Sequence, residues 1–154
     1  MKTNQLERNK KVFTFVTMLI ALSMLLTACG AAVPSTNSDG SINVDVTLTD
    51  FGIESSLTTF EAGKTYHFTI TNKGAIPHEF VIAEPLVGGT VHGTDMEMMH
   101  EGLIVEVEED ELPAGATVTV DATFPAHVPD KELEFACHTE GHYEAGMKFP
   151  ISVK

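Results

Sequence analysis

Short runs of alternating apolar and polar residues make up most of the chain after residue 42. The period of two is typical of half-buried β-strands, and glycine, proline and aspartate separate the runs. No segment after residue 42 sustains a capped helical pattern. The pattern predicts an all-β domain, an antiparallel Greek-key β-sandwich of about seven or eight strands. The runs are 42–48, 65–71, 79–82, 103–107, 117–124, 133–137 and 149–153.

The N-terminal residues follow a different pattern and indicate a targeting segment. A basic start precedes an apolar run over 12–26, which is shorter than the ~20 residues of a membrane-spanning helix. The run ends in Leu-Thr-Ala-Cys29, which resembles the lipobox of bacterial lipoproteins, and the alternative is an ordinary secretory signal with a chance cysteine. The resemblance implies a signal peptide over 1–28, diacylation of Cys29, and export. The protein would then be held to the bacterial cell membrane or outer membrane by lipid alone, facing the periplasm or the exterior.

Cleavage before Cys29 would leave 126 residues, enough for one domain and too few for two. Small and turn-forming residues over 29–41 predict a flexible tether, and the domain proper is expected over 42–154. The mature chain would hold five basic and 21 acidic residues, for a formal net charge of −16. Such a charge disfavours nucleic acid and favours cationic partners. We expect a monomer.

The cysteine content indicates a metal. The chain has two cysteines, and lipidation of Cys29 would leave Cys137 as a free thiol in an exported protein. Free thiols oxidise or cross-link in oxidising compartments. A thiol retained there is best explained by a bound metal ion.

Potential metal ligands lie between the last two predicted strands, where Cys137, His142 and Met147 follow one another at regular spacing. A thiolate and imidazoles in a trigonal plane, with a distant thioether, are the donors that copper prefers. His78, at the start of the apolar run 79–82, can supply the second imidazole. The sequence therefore predicts one copper ion per domain.

These residues resemble the metal-binding motif of the cupredoxins, the type 1 copper proteins, over residues 42–154. His78 matches the early histidine ligand of that family, while Cys137, His142 and Met147 match its late loop, with the spacing found in auracyanins. The resemblance implies the cupredoxin fold and one-electron transfer. Two departures stand out: Glu79 replaces the asparagine common after the early histidine, and Ala136 precedes Cys137 where multicopper oxidases have histidine.

A second group of potential copper ligands lies in the long connection 86–102. We call it the His/Met segment, and its members are His92, Met96, Met98, Met99 and His100. Clustered thioethers and imidazoles can bind copper at an exposed site. The alternative is that the methionines cover the apolar rim of the sandwich.

Two functions from different classes remain open at this point. The first is electron transfer to a redox partner protein, with the acidic stretch 106–111 available to attract a cationic docking face. The second is copper handling, meaning buffering, delivery or resistance, with the His/Met segment as a loading site. We expect no enzymatic activity, because a copper nitrite reductase needs a further cupredoxin domain and copper site for which this chain has no room.

Overall fold

A computed structural model of the chain describes residues 35–89, 91, 103–128 and 132–154. The predicted signal peptide 1–28, the predicted lipidation site Cys29 and the His/Met segment lie outside the described residues. Within the described residues, no helix has the length and apolar character needed to cross a bilayer. Processing and lipid attachment therefore stay predictions.

The described residues form nine β-strands in two sheets, which confirms the predicted all-β sandwich with slightly more strands than expected. The strands are β1 (Ile42–Thr49), β2 (Gly52–Ser55), β3 (Thr59–Phe60), β4 (Thr65–Asn72), β5 (Phe80–Ala83), β6 (Val105–Val107), β7 (Thr117–Thr123), β8 (Leu133–Ala136) and β9 (Lys148–Val153). One sheet has the strand order β2-β1-β4-β7, and the other has the order β3-β9-β8-β5-β6. A 3₁₀ turn, Val87–Gly89, follows β5.

The strand pairing is mixed, which corrects the prediction of a purely antiparallel sandwich. β1 pairs with β4 in parallel, and β3 pairs with β9 in parallel, whereas the other pairs are antiparallel. The parallel pairs arise because the chain crosses from the four-stranded sheet to the five-stranded sheet after β2, where the short β3 pairs with β9. When the chain returns as β4, it runs beside β1 in the same direction.

The core lies between the sheets and follows the alternation of the sequence. Val44, Val46 and Leu48 of β1 are at most 1% exposed, and the aromatic side chains of β4 are buried opposite them. Phe60 lies at the centre of an aromatic cluster, with its ring centroid 4.8 Å from that of Phe124 and 4.9 Å from that of Tyr66. Each fully buried side chain of this size contributes about 1.5–3 kcal/mol to folding.

Strands β5 and β8 are buried on both faces, unlike β1. On the outer face of their sheet, a second apolar cluster includes Val81, Ala136 and Tyr143. Leu86 and Leu103, from the two ends of the connection between β5 and β6, pack against this cluster. Because neither face of these strands meets water, FVIA is wholly apolar, and LEFA carries one charged residue, Glu134, in a buried position.

Residues 35–41, the described part of the predicted tether 29–41, contact the start of β1. Thr36 forms a β-bridge with Ile42. The Asn37 side chain donates hydrogen bonds to Asn43 Oδ1 at 2.8 Å and to Ser41 Oγ at 2.9 Å. Short polar side chains thus bond this segment to β1, and the bounds of the tether and the domain stay predictions.

Candidate metal centre

The strand pairing brings three segments to one end of the five-stranded sheet. β8 runs antiparallel to both β5 and β9, with Ala136 paired to Val81 and to Lys148. The end of β8 therefore lies beside the starts of β5 and β9. Cys137 directly follows β8, Met147 directly precedes β9, and one residue separates His78 from the start of β5.

The turn that carries His78 is fixed by the buried Asn72 at the end of β4. The Asn72 Nδ2 group donates to the carbonyl oxygens of Ile76 at 2.8 Å and Leu112 at 3.0 Å, and its Oδ1 accepts from the Gly74 amide at 2.8 Å. The His78 amide also donates to the Leu112 carbonyl, at 3.2 Å. These bonds hold the backbone on which the imidazole stands.

The loop between β8 and β9 is closed by its own backbone. The Cys137 amide donates to the Met147 carbonyl at 3.1 Å, and the Met147 amide donates to the His142 carbonyl at 3.0 Å. Gly141 and Gly146 have φ angles of 83° and 100°, in the left-handed region that favours glycine. The loop is thereby fixed on both sides of His142.

Within the described residues, His78, Cys137 and His142 form the only group of three or more His, Cys, Asp or Glu side chains with donor atoms close enough to share a metal ion. The Nδ1 atoms of the two histidines lie 3.2 Å apart, and Cys137 Sγ lies 3.4 Å from His142 Nδ1 and 3.9 Å from His78 Nδ1. Donors that share a first-row metal ion in a trigonal plane lie about 3.5–3.8 Å apart. The separations of 3.2 and 3.4 Å are slightly shorter than this range and the separation of 3.9 Å is slightly longer, so each donor lies within about 0.3 Å of the spacing that a shared metal ion requires.

Burial sets the protonation of the metal-free group. His78 and Cys137 are fully buried, and His142 is half-buried. Burial raises the pKa of the Cys137 thiol, against a smaller opposing effect of hydrogen bonds from Thr139 and from the Glu79 backbone. Burial, followed by the neighbouring His142, lowers the pKa of His78. Because burial disfavours both ionised forms, the thiolate needs a cation beside it, and His78 stays a neutral ring that can donate a lone pair.

Met147, the fourth predicted ligand, is 1% exposed and belongs to the same core cluster as Cys137. Its backbone lies beside Cys137 through the hydrogen bond between them. Assignment of its thioether as an axial ligand stays a proposal.

His138 and Tyr143, the residues that follow Cys137 and His142, face away from this group. The His138 ring packs against the Tyr143 ring on the outer side of the sheet, with centroids 5.6 Å apart.

The Tyr143 hydroxyl donates to the buried Glu134 carboxylate and accepts from the Leu86 amide at 3.1 Å. Lys148 Nζ lies 4.0 Å above the Tyr143 ring. Burial and the Glu134 carboxylate raise the pKa of Tyr143 to about 12.

Two parts of this arrangement have no signal in the sequence. Asp50, in the turn between β1 and β2, places Oδ1 3.6 Å from His78 Nε2 across 28 residues of chain. The Tyr143–Glu134 contact lies in a region where the sequence indicates only apolar packing. Asp50 and Glu134 belong to no motif of regular spacing, and the sheet pairing alone brings each of them to its partner.

The donor chemistry fits copper. A buried thiol and two imidazole nitrogens that point at one another provide the His₂Cys group, and Met147 adds a potential soft donor. Trigonal His₂Cys sites with a weak thioether are characteristic of type 1 copper. The copper centre predicted from the sequence is thus supported by the positions of its donors.

The nine-stranded sandwich is the cupredoxin fold that the sequence resemblance implies. The chain superposes on auracyanin from Roseiflexus castenholzii with a TM-score of 0.52 at 18% identity, over 78% of this chain and 99% of the other. Rusticyanin from Thiobacillus ferrooxidans gives a TM-score of 0.57 at 18% identity, over 77% and 80%. These likenesses confirm the fold.

Relatives in sequence carry a more specific name. The chain is 32% identical to the copper-resistant cuproprotein CopI of Vibrio cholerae over 94 residues, which cover 58% of this chain and 50% of that protein. It is 23% identical to CopI of Pseudomonas aeruginosa over 146 residues, which cover 79% and 81%. The chain thus spans half the length of the Vibrio relative. No protein-family model matches the sequence.

Proposed function

We propose that this protein carries single electrons through one copper ion held by His78, Cys137 and His142, with Met147 as a weak axial ligand. The observation that supports the proposal is the convergence of two imidazole Nδ1 atoms and one buried sulfur, all within 4.8 Å of one another. When bound, copper supplies a one-electron couple between Cu(II) and Cu(I).

The protein residues favour electron transfer because hydrogen bonds hold the backbone of both segments that carry the donors. His78 and Cys137 are fully buried, so they exclude water from the site. His142 is half-buried, and its ring edge offers the route by which an electron leaves. We assign these residues no catalytic role on a substrate.

A redox titration of the copper-loaded protein tests this function. We expect one electron per protein to be taken up and released reversibly. Changing Cys137→Ser removes the sulfur donor and should abolish the cycle.

His67→Ala is the matched control for a histidine change such as His142→Ala. His67 lies on the outer face of the four-stranded sheet, where its Nδ1 is 2.6 Å from Asp121 Oδ1. The control should titrate like the unchanged protein, whereas His142→Ala should not. A reversible cycle that survives in Cys137→Ser would contradict the proposal.

We further propose that the protein works outside the cytoplasm, attached to a membrane through lipid on Cys29, and meets a partner with a cationic docking face. The exposed acidic side chains around β6 support the choice of partner. Changing Cys29→Ala should disturb processing and lipid attachment without altering the visible spectrum of the folded domain. A variant that is processed and recovered in the membrane fraction like the unchanged protein would contradict attachment through Cys29.

Copper handling is the second candidate function, and two observations favour it. The relatives from Vibrio cholerae and Pseudomonas aeruginosa are named copper-resistant cuproproteins. In addition, the loop that carries His142 is bonded to the segment that leads into the His/Met segment. Tyr143 accepts from the Leu86 amide at 3.1 Å, and Glu144 Oε1 accepts from the Val91 amide at 2.7 Å.

Copper stoichiometry distinguishes the two functions. For copper handling, the protein should bind a second, labile copper ion that is lost in the double variant His92→Ala, His100→Ala. The control is the double variant His67→Ala, His127→Ala, which removes one partly exposed and one exposed histidine from other surfaces. A stoichiometry of one in all three proteins favours electron transfer alone.

A further inference from the structure

The ring of His78 faces two different environments. Its Nδ1 points at Cys137 and His142, so this nitrogen is the one available to a metal. A neutral imidazole that donates a lone pair from Nδ1 must carry its proton on Nε2. His78 Nε2 is fully buried and has no hydrogen-bond partner within the described residues. A buried N–H of this kind needs an acceptor or a compensating charge.

The Asp50 carboxylate lies beside the buried His78 Nε2–H and can supply the compensating negative charge. Asp50 Oδ1 is 3.6 Å from His78 Nε2, slightly beyond hydrogen-bond length. The same oxygen accepts a hydrogen bond from the Ala75 amide at 2.7 Å. The carboxylate is thus attached to the turn that carries His78, although it belongs to the turn after β1.

Gly74 allows the carboxylate and the ring to face each other. A Cβ atom at this position would lie 2.4 Å from Asp50 Oδ1 and 2.8 Å from His78 Nε2. Real Cβ atoms do not approach other atoms so closely. Any larger residue at position 74 would separate the two groups.

We propose that Asp50 is a positioning residue of the copper centre, which orients His78 through Nε2 and favours the oxidised metal by its negative charge. The proposal rests on the copper function proposed above. A carboxylate behind a metal-bound histidine fixes the ring tautomer and raises the basicity of the ligand. A negative charge also stabilises the more positive of two metal states. The Asp50 side chain is 34% exposed, so solvent screens part of this effect.

Asp50→Asn tests the charge while it keeps the size of the side chain and an oxygen for the Ala75 amide. Loss of an outer partner of this kind changes metal affinity by about tenfold or more. We expect Cu(II) affinity relative to Cu(I) affinity to fall about tenfold, which corresponds to a rise of about 59 mV in the reduction potential. Asp121→Asn is the control, because it makes the same change of charge next to the partly exposed His67.

Nitrogen NMR of the copper-free protein provides a second readout. The His78 ring should carry its proton on Nε2 in the unchanged protein and should populate both tautomers in Asp50→Asn. Equal potentials in Asp50→Asn and Asp121→Asn, with the thiolate-to-copper absorption intact in both, would overturn the role of Asp50 and leave the proposed function standing. If the unchanged protein lacks that absorption, the proposed function fails, and the role of Asp50 fails with it.

Discussion

At the residue scale, the candidate site depends on side chains that hold backbone in place as much as on the metal donors themselves. Asn72 makes three hydrogen bonds within and across the turn before His78. Gly74 leaves the space in which Asp50 and the His78 ring meet. The position of one imidazole is thus set by two neighbours that never contact the metal.

Changing Gly74→Ala should destabilise the copper-free protein by about 1–3 kcal/mol, because the added methyl overlaps Asp50 Oδ1 and His78 Nε2. Urea denaturation measures the change. Gly52→Ala is the control, since a Cβ there would meet only Thr49 Oγ1, at 3.9 Å. Equal stability of the two variants would contradict the close approach at Gly74.

Met147→Leu tests the axial thioether. Leucine keeps an apolar side chain of similar volume in the core but has no sulfur. We expect the variant to retain copper and to show a shifted reduction potential, measured by redox titration. An unchanged potential would exclude Met147 as a ligand.

The sequence predicts the site residues whose type and spacing by themselves indicate a capacity to bind metal. Cys137 and His142 share one short loop, and His78 stands at the start of an apolar run, so the three were predicted together. The position of Asp50 beside His78 arises from the pairing of β1 with β4 and was not predictable from spacing. The His/Met segment lies outside the described residues, so its role stays a hypothesis.

At the scale of elements, the loop between β8 and β9 is bonded to the outer face of its sheet as well as packed against the core. Tyr143 is 1% exposed, and its hydroxyl lies between the Glu134 carboxylate and the Leu86 amide. The loop that holds His142 therefore moves only if β8 and the start of the β5–β6 connection adjust. This coupling supports a rigid site.

Tyr143→Phe should lower the free energy of unfolding by about 1–3 kcal/mol, because the buried Glu134 carboxylate loses its hydroxyl donor. Tyr66→Phe is a matched control. The Tyr66 hydroxyl accepts one hydrogen bond, from the Glu61 amide at 2.8 Å, so a smaller loss is expected. The comparison uses chemical denaturation of the copper-free variants, and a larger loss in Tyr66→Phe would contradict the importance of the Glu134 contact.

Among the elements, the alternation and the apolar runs predicted seven of the nine strands in the described residues, and they missed β2 and β3. β1, β4 and β7 lie close to their predicted bounds. β2 and β3 span four and two residues, in a stretch that glycine, aspartate and polar residues interrupt. β3 is also the strand that crosses to the other sheet, so the sequence pattern gave no basis for the parallel pairing of β4 with β1.

At the scale of the whole molecule, net charge is the property that favours cationic over anionic redox partners. The mature chain would carry a formal net charge of −16, and residues 106 and 108–111 are exposed. A field of this sign accelerates encounters with cations and is screened within about 10 Å at 0.1 M salt. The charge thus favours rapid exchange with a cationic partner.

Salt dependence of electron exchange measures this effect. With a small cationic redox reagent, we expect the rate to fall several-fold as ionic strength rises, because screening removes the attraction. With an anionic reagent, the rate should rise. The triple variant Glu106→Gln, Glu108→Gln, Glu109→Gln should weaken both trends, and identical salt dependence in the variant would exclude this acidic edge as the docking surface.

The proposed binding of one copper ion by Cys137, His78 and His142 as a type 1 centre can be measured in a single sample. The sample is the full chain loaded with one equivalent of Cu(II), studied by optical and electron paramagnetic resonance spectroscopy. We expect an intense visible thiolate-to-copper band and the narrow copper hyperfine splitting of a thiolate-bound centre. A colourless protein with the wide splitting of copper bound only by nitrogen and oxygen would contradict it.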